Sequence, residues 1–186
     1  MDSHADAGAD ESLSRALDRT RRTWRRFLAL GLCLVVLGAA ASTLPWAMGL
    51  TLAYHNHDME LRNAAREFHH MMLGTDPENV TLCLDAHWIY RGSGNSQVAL
   101  FDVVKLYGSR VTELHLRQSQ NGVWTETFGP GDIDYLRLAE VLLKLGVKPL
   151  LVLEQAIEEG SPNATKPAEA FKKSTAYVRQ VFSAFA

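Results

Sequence analysis

The sequence predicts an α/β fold in which four strand–helix units build a parallel sheet. Short apolar runs of strand length recur four times after residue 49. Each is trailed by a segment with helical spacing, and each ends in polar side chains of metal-binding type. Strands alternating with helices of this length call for right-handed crossovers between parallel neighbours.

The first unit reads as a strand in "LTLAYHN", Leu50 to Asn56, followed by a helix in "LRNAAREFHHMML". The second strand is "VTLCLD", Val80 to Asp85, and its helix "QVALFDVVKLYG" closes at Gly108. The third strand, "VTELHLR", spans Val111 to Arg117; "DYLRLAEVLLKLG" follows and again ends on a glycine. "FGPGDIDY", Phe128 to Tyr135, supplies a tight turn through Gly129 and Gly131, with Asp132 or Asp134 capping the next helix. The fourth strand is "PLLVLEQ", Pro149 to Gln155, and the last helix begins at Pro167.

Upstream of the units the composition shifts twice. Residues 1–26 are small and acidic, then arginine-rich, with six arginines between Arg15 and Arg26. Phe27 to Leu44 then runs 18 residues without a charge, long enough for a membrane span within a segment 27–47. A signal anchor, a cleaved signal peptide with small residues at Ala39 to Ala41, and a buried core helix are the three readings. The first two place the C-terminal domain, residues 49–186, outside the cytoplasm, either membrane-anchored through the N-terminal helix or secreted.

The chain is 47% hydrophobic and 22% charged, ordinary for a globular protein, and its formal net charge of −2 gives no footprint for a nucleic-acid partner. The two cysteines, Cys33 and Cys83, lie in apolar runs and read as packing residues rather than a disulfide.

Side chains two apart on a strand share a face, so His55 and His57 point one way, as do Glu113, His115 and Arg117. In parallel α/β folds, ligands bind where strands give way to the following loops. His55, His57, Asp85, His87, His115 and Glu154 all fall at such ends. Histidine and carboxylate together suit one divalent cation: manganese, magnesium, cobalt or zinc.

The stretches "AYHNHDMEL", "CLDAHWIYRG", "RVTELHLRQ", "FGPGDIDY" and "LVLEQ" resemble the second half of the xylose-isomerase-like TIM-barrel family, over about residues 49–186. That family includes sugar-phosphate isomerases and epimerases and inosose dehydratases. The resemblance implies a metal held by His57, Asp85, His115 and Glu154, with Glu154, His87 and His55 as catalytic groups. It implies a sugar or sugar phosphate as substrate, met by Arg117, His57 and Glu60. Where the best-known epimerases carry a glutamate at the end of the first of these strands, this chain has His55. A neutral histidine can still ligate a metal or take a proton.

The activity so implied is isomerisation or epimerisation through an enolised sugar carbonyl. The alternative is a non-catalytic sugar-binding or assembly module derived from a truncated barrel. Abasic-site nucleases share the barrel but need a basic face, and metal amidohydrolases share the H-x-H but end in aspartate rather than Glu154. A full barrel needs eight strands and about 250 residues, and four strands are read here. The expectation is a truncated relative; pairing with a second copy as a homodimer is the other solution to two open sheet edges.

Overall fold

In a computed structural model, the structure describes residues 51–185 together with Trp24, Phe27, Leu28, residues 30–35 and Gly38. The chain divides into two units, Met1–Leu50 and Thr51–Ala186. In the first unit the described residues are helical and exposed. Among the described residues no helix is long and apolar enough to cross a membrane. This overturns the expected membrane anchoring, and with it the localisation outside the cytoplasm. An uncharged run measures polarity, whereas a span needs about 20 residues of continuous apolar helix. The acidic segment of residues 1–14, read from composition as disordered, and the expected signal cleavage near Ala39 to Ala41 lie outside the described residues.

The second unit carries the α/β architecture. Four parallel strands, β1 (Leu52–His55), β2 (Val80–Asp85), β3 (Val111–Leu116) and β6 (Leu150–Leu153), form one sheet in the order β1-β2-β3-β6. Between them lie α1 (Arg62–Gly74), α2 (Ala86–Gly92), α3 (Gln97–Tyr107) and α4 (Tyr135–Lys144), and α5 (Pro167–Val181) follows the last strand. A two-stranded ribbon, β4 (Ser119–Gln120) and β5 (Val123–Trp124), interrupts the third crossover. The short helix α2 and this ribbon were not legible as periodic segments. Seven residues and two pairs of residues are too few to display a period.

Period-two alternation sets the two faces of the sheet. Leu82, Leu84, Leu114 and Leu116 are fully buried and form a core with Phe68, Ile89, Leu100, Val104, Leu138 and Leu142 from the helices. The opposite face carries Cys83, Asp85, Glu113 and His115. A register shift lets it do so: Leu82 pairs with Val111 but Cys83 pairs with Glu113, leaving Thr112 as an extra residue in β3. Such a bulge re-aims the side chains beyond it. Here it keeps Val111 buried on the helix side while turning Glu113 and His115 to the face of Asp85.

Two polar residues fasten the loops above the strand ends. The Gln118 side chain makes four hydrogen bonds: it accepts from the N–H groups of Ser119 and Ile133 and donates to the carbonyls of Gly129 and Ile133. Gly131 has no room for a side chain, since a Cβ would stand 2.3 Å from the Ser119 carbonyl oxygen. Asp134 caps α4 by accepting from the Arg137 N–H at 2.9 Å, whereas Asp132 binds Ser119 and the N–H groups of Asn121 and Gly122. The turn thus divides its two aspartates between helix and ribbon.

The start of α1 departs from the expected regular helix. Asn63, Ala64 and Ala65 have φ of 53°, 59° and 58°, so the right-handed helix runs only beyond Ala65. Each such non-glycine residue costs about 1–2 kcal/mol. Because Ala64 is also exposed, Ala64→Gly is expected to raise stability by roughly 0.5–1 kcal/mol in chemical denaturation. The same change at exposed Ala176, within right-handed α5, is expected to lower it by a similar amount. A loss at both positions would mean that the left-handed turn does not form.

Candidate metal centre

The carboxyl ends of the four strands converge. One ligand atom from each of His55, Asp85, His115 and Glu154 lies within 4.8 Å of the other three. His55 closes β1, Asp85 closes β2, His115 is the next-to-last residue of β3 and Glu154 follows β6. The β6 register is continued past the strand by the Glu154 N–H, which donates to the Leu116 carbonyl at 3.1 Å.

Asp85 is fully buried. Its Oδ1 accepts the Trp88 N–H at 2.8 Å, capping α2, while Oδ2 has no hydrogen-bond partner and stands 4.0 Å from His55 Nε2. Burial pushes this carboxyl up to about 6, against the opposing Trp88 N–H and Arg117 charge. Asn56, also fully buried, pins the backbone beneath it: its Nδ2 donates to the Asp85 carbonyl and its Oδ1 accepts the Asp85 N–H. A charged oxygen buried without a partner is costly, and a cation is the partner that removes the cost.

His115 sits between two carboxylates, with Nδ1 2.7 Å from Glu154 and Nε2 2.8 Å from Glu113. Both nitrogens then donate, which describes an imidazolium. Burial opposes its charge, but the bonds to Glu154 and Glu113 prevail and raise its pKa. For Glu154, burial favours the neutral form, yet His115 and Arg117 outweigh it and lower the pKa. Burial, followed by the charges of His115 and His57, holds His55 below the ordinary histidine range, so it is neutral near pH 7.

Arg117 is buried on the floor of the loops. Its Nε donates to the Glu154 carbonyl at 2.9 Å, Nη2 lies 3.2 Å from Glu154 Oε1, and Nη1 has no partner. The guanidinium lies 4.1 Å from the Trp124 ring centroid and 5.3 Å from that of Trp88. Arg91 holds this wall in place through a bidentate pair with Glu158, which also accepts the Trp124 N–H.

The remaining expected residues lie around this centre rather than in it. His57 is exposed at the rim, its ring 4.7 Å from that of His55, and it is absent from the converging four. β1 ends at His55, so the alternation that was to carry His57 along the same face no longer applies. Glu60 accepts the His57 N–H at 2.9 Å and closes that loop. His87 falls in the first turn of α2, fully buried, with no partner on either ring nitrogen. Burial and the charges of Arg91 and Arg117 push it down to about 4, leaving a neutral ring. Three further residues stand against the centre: Asn56, Trp124 and Cys83. Asn56 and Trp124 carried no signal, and Cys83, two positions before Asp85, shares its face by simple alternation.

Four parallel strands with helical crossovers, in this order, are the architecture of part of a TIM barrel, and the comparisons agree. Residues 36–181 match the family described as xylose isomerase-like TIM barrel, and the chain belongs to that family. It is similar in structure to two crystal structures of sugar phosphate isomerase/epimerases from Parabacteroides distasonis. One superposes with a TM-score of 0.59 at 19% identity over 78% of this chain and 49% of that one. The other gives 0.55 at 22% identity over 74% of this chain and 49% of that one. The likeness is one of fold, and the chain spans about half the length of each. No curated protein matches it.

Proposed function

We propose that this domain is the metal-binding part of a sugar or sugar-phosphate isomerase/epimerase. The observation that supports it most is the convergence of His55, Asp85, His115 and Glu154 around a buried carboxylate oxygen with no partner. Two imidazoles and two carboxylates fit a divalent cation such as manganese, magnesium, cobalt or zinc. A cation held there supplies a Lewis acid that eases the build-up of charge on a sugar carbonyl oxygen.

The chain's own groups do the remainder. Glu154, ionised at neutral pH and only partly buried, takes a proton from the carbon beside the carbonyl and returns it. His55, neutral, serves as one of the two imidazole ligands. Arg117, flanked by the rings of Trp88 and Trp124, offers its unpartnered Nη1 to a substrate hydroxyl or phosphate oxygen. His87, neutral and fully buried, packs behind this wall with its ring 6.0 Å from that of Trp124.

A second reading, a non-catalytic sugar-binding or assembly module, is favoured by one feature. β1 and β6 are sheet edges among the described residues, and their Leu52 and Leu150 are 67% and 72% exposed.

The metal assignment is tested by titrating the full chain with Mn²⁺ in a calorimeter. His115→Ala is expected to weaken binding by at least about tenfold, the scale of even indirect losses at metal sites. His70→Ala, on the exposed face of α1, serves as the control. Equal affinity in the wild type and the His115 variant would remove the centre from the proposal.

A further inference from the structure

The two imidazoles of the centre each face two ways. His55 turns Nε2 towards Asp85 and Nδ1 towards the Cys83 sulfur, at 3.3 Å. His115 turns Nδ1 towards Glu154 and Nε2 towards Glu113. Cys83 and Glu113 are themselves 3.2 Å apart, sulfur to Oε1. One ligand atom from each of His55, Cys83 and His115 lies within 4.8 Å of the others. The far nitrogens of both rings therefore look onto a second donor set, one residue pair deeper along β2 and β3.

We infer that His55, Cys83 and His115, with Glu113, form a second site for a thiophilic divalent cation of the zinc or cadmium kind. This site shares both imidazoles with the carboxylate centre proposed above, and to that extent rests on it. Its chemistry differs: two nitrogens, a thiolate and one carboxylate make the set zinc prefers, whereas Asp85 and Glu154 suit manganese or magnesium. Donor atoms bound tetrahedrally at Zn–N of about 2.0–2.1 Å and Zn–S of about 2.3 Å stand roughly 3.5 Å apart. Small side-chain movements close the present separations to that value. On binding, the Cys83 thiol proton and the His115 Nε2 proton are released to solvent, the sulfur–metal bond forms, and Glu113 stays ionised as the fourth donor. Sharing the two rings makes the sites alternatives, so a zinc-class ion displaces a manganese-class ion.

The chain's other cysteine, Cys33, is exposed and would report falsely. The test therefore uses the full-length Cys33→Ala chain, in which Cys83 is the remaining thiol. Cadmium is added while ultraviolet absorption is recorded for the sulfur-to-cadmium charge-transfer band, with calorimetry reporting total binding. A saturable band is expected, persisting in Cys33→Ala/Asp85→Asn, and with it at least about tenfold weaker Mn²⁺ binding when cadmium is present in excess. If cadmium binds with no such band, Glu113 serves only to orient His115 for the carboxylate centre, and the second site is overturned while that centre stands. If neither cadmium nor manganese binds, both fall.

Discussion

In metal-free buffer at pH 7, Asp85→Asn is expected to melt above the wild type. The carboxyl is fully buried, with one oxygen unpartnered, and burial carries it from an ordinary 3.8 to about 6 in the fold. The folded state therefore favours the protonated form. Below pH 3.8 the group is neutral in both states and costs nothing. As pH rises through 6 the folded chain must ionise it, and a shift of about two pH units removes roughly 3 kcal/mol of stability. Asparagine keeps the bond to the Trp88 N–H without the charge. Its own unpaired amide reduces the gain to about 2 kcal/mol, or roughly 4–8 °C in the midpoint. The order should reverse with metal. At about a hundred times the dissociation constant, Mn²⁺ stabilises the wild type by roughly 2.7 kcal/mol, and the variant by far less. Scanning calorimetry of both chains at pH 4 and pH 7, with and without Mn²⁺, measures all these differences. A wild type that is the more stable of the two at pH 7 without metal would show that Asp85 is satisfied by something other than a cation.

Glu154→Gln is expected to abolish proton exchange at the carbon beside a ketose carbonyl. With Mn²⁺ present, the chain in deuterated water should wash deuterium into a ketose or ketose phosphate, followed by NMR. Glutamine preserves the shape and the contact to His115 but cannot take a proton, so the rate should fall roughly a hundredfold or more. Mn²⁺ affinity, measured alongside, separates a lost base from a lost ligand: a fall in exchange at saturating metal identifies the base. No exchange by the wild-type chain at saturating metal would favour the sugar-binding or assembly module. Exchange unaffected by the substitution would remove Glu154 as the base.

Much of the centre was legible because strand chemistry is local. Apolar runs of strand length, helices between them and polar residues at the ends placed Asp85, His115 and Glu154 on one rim before any coordinates. Alternation alone held Glu113 and His115 to a common face. The same locality explains the correction at the N-terminus: absence of charge is a local property, and among the described residues no helix is long and apolar enough to cross a membrane. It also explains His57, whose expected direction assumed a strand that stops at His55.

Period and polarity along the chain suffice for the class of the fold, the order of its units and the residue types at each strand end. Which of them meet depends on register and packing across the sheet. The bulge at Thr112 turns Glu113 and His115 to the face of Cys83 and Asp85, and the parallel registers set His55 beside Cys83 and bring Glu154 up to Arg117. Burial then leaves one Asp85 oxygen without a partner. Register, burial and the direction of each imidazole nitrogen depend on residues about 30 to 40 positions apart in the chain. No pattern within a single segment encodes them.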